Sequence, residues 1–194
     1  MEATQSNYVL GWDLNKHSCG FCLLREEDNA VIEWGVVLNE DGSDIREFYK
    51  SRICAKLQRL NIAHGLSSSN VSVVIEEPLL GFRYGKMKTK TCVDQGILFG
   101  LVFAACEFTF GRKPMGVNVR RARTMFNLNA SHGVGGNPKE LVIQFAENES
   151  NVSLSSYGNQ KKKSDIADAY VLCRYAVATM KPPPLASDGI IEIT

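Results

Sequence analysis

The chain lacks most of the features that assign a protein quickly. No apolar run reads as long enough to cross a membrane. The opening residues MEATQSNYVL carry no basic region followed by an apolar stretch, so no secretory leader is expected. The expected compartment is therefore cytosolic or nuclear. Net charge is only +1 over 194 residues, so the overall balance does not announce a polyanion partner. The histidines His17, His64 and His132 stand apart, with no metal-ligand spacing. Cys19-Gly20-Phe21-Cys22 looks like half a zinc site, but the segment reads as a strand, where positions i and i+3 face opposite ways. No second Cys or His pair completes it, and the other cysteines lie in apolar patterns, as buried thiols do. No internal repeat and no linker divides the chain, whose length fits one domain.

What is present is an ordered alternation of elements. Tyr8–Leu14, Cys19–Arg25 and Val31–Leu38 read as three strands joined by short polar turns, an antiparallel meander. Ile45, Phe48, Tyr49, Ile53, Leu57 and Leu60 recur at helical spacing. Val71–Ile75 is a compact apolar run, expected to be a buried central strand. Pro78 opens a polar, basic loop that runs to Thr91, and Val93–Phe108 follows as a core helix. Met115–Val119 reads as a short strand and Arg120–Phe126 as a brief helix. Asn137, Pro138 and Glu140 form the start signal of another helix. Ser164 is expected to cap the last one, with Ile166, Ala169, Tyr170, Cys173 and Val177 on its apolar face. Pro182-Pro183-Pro184 ends it. The fold class is α/β, a mixed five-stranded sheet with helices on both faces.

Four carboxylates occupy telling places in this pattern. Asp13 and Glu76 stand at the ends of apolar strands, and Asp165 and Asp168 lie i, i+3 on one helix face. Drawn together, such groups repel and call for a cation. Oxygen-only ligands suit Mg²⁺ or Mn²⁺ rather than zinc, and a pair of such ions is suited to phosphodiester cleavage. Basic runs stand near these segments: Lys86, Lys88 and Lys90, then Arg120, Arg121 and Arg123, then Lys161 to Lys163. Each alone reads as a solvated face; together they point to a polyanion partner.

The ordered set of Asp13 closing the first strand, Glu76 closing the fourth, and D165-I-A-D168-A in the last helix resembles the RuvC-like Holliday-junction resolvases of the ribonuclease H-like superfamily. The likeness runs from about Tyr8 to Met180. It implies a nuclease domain over residues 1–181 with a loose tail, 182–194. It implies that Asp13, Glu76, Asp165 and Asp168 hold two Mg²⁺ ions, which Mn²⁺ can replace, that Lys139 matches a basic residue opening the family's penultimate helix and counts with the catalytic set, and that Arg120 or Arg121 matches a basic position just after the fifth strand, both expected to touch DNA. Phe82 or Tyr84 would be the aromatic near the junction centre, and Lys86, Lys88, Lys90 and Arg123 would touch DNA. The family's members are homodimers that cut opposed strands of a four-way junction symmetrically, leaving 5′-phosphate and 3′-hydroxyl ends. Branched DNA is then the partner, no membrane is involved, and the compartment is any intracellular one that holds DNA.

Glu77 directly follows Glu76 and is an alternative ligand. A nuclease for RNA–DNA hybrids, flaps or forks would carry the same site chemistry. A nucleotide-binding module of the actin and Hsp70 type would need a glycine-rich loop where Asn15-Lys16-His17-Ser18 stands, and a longer, duplicated chain. A non-catalytic DNA-binding protein would have no need of the full carboxylate set.

Overall fold

The computed structural model describes residues 7–40, 42–78, 89–129 and 137–180. Strands β1 (Tyr8–Asp13), β2 (Ser18–Arg25) and β3 (Val31–Leu38) form the expected meander. A helical stretch follows as α1 (Ile45–Phe48), a π turn (Tyr49–Ile53) and α2 (Cys54–His64). Next come β4 (Val71–Glu76), α3 (Thr89–Phe110), β5 (Met115–Val117), α4 (Val119–Met125), α5 (Pro138–Ser150), a 3₁₀ turn (Ser155–Tyr157) and α6 (Gln160–Thr179). The sheet order is β3-β2-β1-β4-β5, with β4 parallel to both β1 and β5.

The central strands explain their own burial. Leu10, Trp12 and Phe21 point to one face, where they pack with Ile53, Leu57 and Leu60. Val9, Cys22 and Val74 point to the other, beneath Tyr170 and Cys173 of α6. Strands covered on both faces carry near-continuous apolar runs, as these do. The π turn accounts for the odd spacing in the first helix. Phe48 and Ile53 are five apart, which would rotate one of them off the core face of a straight α-helix; the wider turn lets both stay buried.

Glu33 of β3 ties this helix to the sheet edge. Lys56 donates to its Oε1 at 3.2 Å, Arg59 pairs with the same oxygen, and His64 Nε2 stands 3.2 Å from Oε2. These partners outweigh burial and hold the Glu33 carboxyl below its usual value. A lowered carboxyl contributes stability above its unfolded value of 4.5, lost as pH falls through the folded one. Glu33→Gln is expected to cost about 1 kcal/mol at pH 7, kept small because the pair is part-exposed and screened, and less at about pH 3, as pH falls through the lowered folded value. Urea unfolding at the two pH values measures it.

Three boundaries differ from the sequence reading. Helix α6 starts five residues early, capped by Asn159, whose side chain accepts from Lys162 N at 3.1 Å. Ser164 is not a cap; it is buried within the helix and donates back to Lys161 O at 2.8 Å. The basic run Lys161 to Lys163 thus opens the helix instead of preceding it. Helix α3 starts at Thr89, earlier than expected, and β5 ends at Val117.

A further difference concerns membranes. By length and composition, α3 is long and apolar enough to cross one, and it is the single such helix among the described residues. Asp94 and Glu107 interrupt the run and hid its length in the sequence. Its inner face is core, through Leu98, Val102, Cys106 and Phe110, while Val93, Ile97 and Phe108 stay exposed.

The candidate carboxylate centre

Two glycines decide where the carboxylates meet. Helix α6 lies directly on the sheet at Gly11 and Gly20. A Cβ on Gly20 would stand 2.0 Å from Asp165 O, and one on Gly11 would stand 2.4 Å from Ala169 O. No side chain fits at either point, so backbone meets backbone. Gly20 pairs across the ladder with Asp13. Seating Asp165 on Gly20 therefore brings α6 beside the end of β1, and Asp168 follows one turn later on the same side. Parallel pairing of β1 with β4 puts Glu76 at the same end of the sheet.

The four carboxylates form one crowded group with all four pKa values raised. Asp13 is raised well above 3.8, first by burial, then by Glu76, Asp168 and Asp165. Asp13 and Glu76 act directly on each other, and that interaction adds to the rise of Asp13 while opposing that of Glu76. Burial raises Glu76, with Asp168 adding to it. Burial likewise raises Asp165 and Asp168, against the pull of nearby cations.

Each helical carboxylate has a partner. Ser18 Oγ donates to Asp165 Oδ2 at 2.5 Å. Arg123 of α4 grips Asp168 with both arms, Nε to Oδ1 at 2.8 Å and Nη2 to Oδ2 at 2.5 Å. Lys139, exposed at the start of α5, lowers both Asp165 and Asp168 by its charge, and Lys161 lowers Asp165. Glu77 is not part of the group: it is exposed, and its carboxylate lies over Gly116.

The donor set fits a hard divalent cation. It is buried, anionic, oxygen-only and held off its normal protonation by crowding, the condition that a cation relieves. As the side chains stand, no group of three such ligands among the described residues converges closely enough to hold a metal.

The remaining sequence candidates fall in several places. Arg120 and Arg121 are exposed on α4, with Arg121 5.9 Å from the Tyr175 ring. Arg123 is not the open surface cation the sequence suggested. Lys90 is exposed in the first turn of α3, beside a cavity of about 210 Å³ shared with Lys16 and His17. Lys86, Lys88, Phe82 and Tyr84 lie outside the described residues, as does the tail 182–194. Sequence reasoning missed Ser18 altogether, because a lone serine at a strand start carries no signal. It also missed a basic helix face. Arg52, Lys56 and Arg59 line a cavity of about 400 Å³ beside β3, but helical spacing scatters them so that they form no run.

The sheet order and the covering helices give a RuvC-like fold. Two solved structures of RuvC from Thermus thermophilus match it. One, in complex with Holliday junction substrate, aligns with a TM-score of 0.62 at 15% identity, covering 89% of this chain and 95% of that one. The other aligns with a TM-score of 0.59 at 17% identity, covering 88% and 95%. No protein-family model and no curated protein sequence matches the chain.

Proposed function

We propose that this chain is a structure-specific DNA endonuclease that resolves four-way junctions by symmetric, metal-dependent hydrolysis, leaving 5′-phosphate and 3′-hydroxyl ends. The observation that carries the reading is the convergence of Asp13, Glu76, Asp165 and Asp168 at one sheet end of a fold shared with a junction-bound RuvC. These four would hold two Mg²⁺ ions, or Mn²⁺ in their place. When bound, such ions supply an activated water and stabilise the departing 3′ oxygen. Ser18 orients Asp165 through its hydroxyl. Lys139 brings positive charge to the rim, where a phosphate would arrive. Arg120, Arg121 and Lys90 are placed to meet the backbone of an arm, and Arg52, Lys56 and Arg59 offer a second cationic wall. The compartment would be an intracellular one that holds DNA.

Symmetric cutting needs two copies, and α3 supplies a reason to pair. Val93, Ile97, Gly100, Ala104 and Phe108 form an exposed stripe at helical spacing, and a Cβ on Gly100 would meet nothing within 4 Å. Such a stripe lets a second helix approach closely while it covers apolar surface. Phe108 is 93% exposed, so its replacement costs the monomer little. Gly100→Arg with Phe108→Glu is expected to turn a dimer into a folded monomer by light scattering. A wild-type monomer, or a variant that stays dimeric, would place any dimer contact elsewhere.

The experiment for the activity is a panel: a mobile four-way junction, plain duplex, a flap and an RNA–DNA hybrid, each with and without Mg²⁺. Paired cuts on the junction alone support the reading. Preference for the hybrid or flap keeps the chemistry and replaces the role, and no cutting of any substrate favours a binding protein.

A further inference from the structure

The site holds one formal positive charge in direct contact with a ligand oxygen. Serine is neutral and can keep its hydrogen bond to Asp165 with a metal present. Lys139 and Lys161 act on the carboxylates through their charge. Arg123 is different: its planar fork takes both oxygens of Asp168 at once, 2.8 and 2.5 Å away. A guanidinium so placed occupies the positions a divalent ion would use and adds like charge against it. The fork takes one lone pair of each oxygen, so a metal would have to use the remaining ones against the guanidinium's positive charge.

We propose that Arg123 is a latch on Asp168: its guanidinium competes with a divalent cation for the carboxylate, and lifting it favours metal binding. The proposal rests on the metal-site reading above. The geometry gives the latch a way to open. The Arg123 side chain is 19% exposed and that of Asp168 9%, so the arginine sits at the rim while the carboxylate stays within. Its helix α4 is short, and its neighbours Arg120, Arg121 and Thr124 face solvent. A released guanidinium would swing toward the surface that Arg120 and Arg121 already line. An arriving phosphate competes for the same fork, so a polyanion at this rim favours the released state. By linkage, such an anion and the metal would then promote each other's binding.

Arg123 is therefore a positioning residue whose removal should tighten metal binding, the opposite of what loss of a supporting contact would do. The test measures Mn²⁺ affinity of the wild type, Arg123→Gln and Arg123→Lys by the EPR signal of free Mn²⁺, with thermal melts of the metal-free proteins alongside. Arg123→Gln is expected to bind Mn²⁺ roughly tenfold to a hundredfold more tightly, the range set by hydrogen bonds to a charged group. Its metal-free form melts lower, and Mn²⁺ restores it by a larger margin than it adds to the wild type. Arg123→Lys keeps the charge but not the fork, and falls between the two. Unchanged or weaker Mn²⁺ binding in Arg123→Gln overturns the latch while leaving the metal site in place. So does an Arg123→Lys variant indistinguishable from wild type, because charge alone would then suffice. Failure of all three proteins to bind Mn²⁺ removes the metal-site reading and the latch with it. Tighter binding by Arg123→Gln with no cutting of any DNA keeps the latch and sinks only the nuclease.

Discussion

Asp13→Asn is expected to abolish DNA cleavage while leaving junction binding within a few-fold of wild type. Asp13 is the most central of the carboxylates, since Glu76, Asp165 and Asp168 all act on it. Asn keeps the shape and one oxygen but removes the charge that would hold an ion. Loss of about 4 kcal/mol of transition-state stabilisation is about three decades of rate, so single-turnover cleavage should fall at least that far. Binding rests on rim cations, which the substitution does not touch. A second readout separates a site residue from a structural one. Burial and Glu76 raise the folded-state pKa of Asp13, so its stabilising contribution is complete below 3.8 and is lost as pH rises through the folded value. At pH 8 the metal-free wild type carries that liability and Asp13→Asn does not. The variant should melt higher than wild type at pH 8, with the gap closing toward pH 4. Equal loss of cleavage and binding, with a lower melting temperature, would show that Asp13 is structural.

Gly20→Ala is expected to be the most damaging single-methyl change in the chain. Its new Cβ would stand 2.0 Å from Asp165 O and 2.8 Å from Ile166 N, both backbone atoms of a buried helix. Neither a rotamer change nor a flexible tip can relieve that clash, so α6 must rise from the sheet. Overpacking costs roughly 1–3 kcal/mol where side chains can give, and here they cannot, so about 3 kcal/mol or more is expected. Raising α6 also pulls Asp165 and Asp168 away from Asp13. Any protein that still folds should lose cleavage and Mn²⁺ affinity together. Gly96→Ala is the control, since its Cβ meets nothing within 4 Å and its helix gains a better former. Chemical denaturation of both variants decides the matter: a Gly20→Ala protein as stable as wild type would mean that α6 does not rest on the sheet as described.

The fold was legible wherever periodicity and turn chemistry agreed. The meander of β1 to β3 and the start of α5 at Asn137 and Pro138 were plain, because alternation, polar turns and a capping residue pointed the same way. The start of α6 was not, because Lys161 to Lys163 look like a charged loop and Ser164 is a better-known cap than Asn159. The exposed stripe of α3 was hidden for a similar reason: an apolar residue facing solvent has the same letter as one facing core.

The four carboxylates were singled out from the ends of strands and an i, i+3 pair, yet nothing in the sequence told which side chains would partner them. Arg123 lies 45 positions from Asp168. It stands in a run with Arg120 and Arg121 and looked like one more phosphate contact. Ser18 lies 147 positions from Asp165. Such long-range partners are set by the seating of α6 on Gly11 and Gly20. A glycine in a strand announces some close approach but does not name what approaches.

The most direct test of the central claim is cleavage of a cruciform extruded from a supercoiled plasmid, followed by ligation of the products. The account predicts a linear product formed by paired cuts at the cruciform base, with hairpin ends whose nicks a ligase seals, only in the presence of Mg²⁺ or Mn²⁺ and never with Asp13→Asn. Nicks scattered over the plasmid, ends that a ligase cannot seal, or cutting that survives in Asp13→Asn would contradict it.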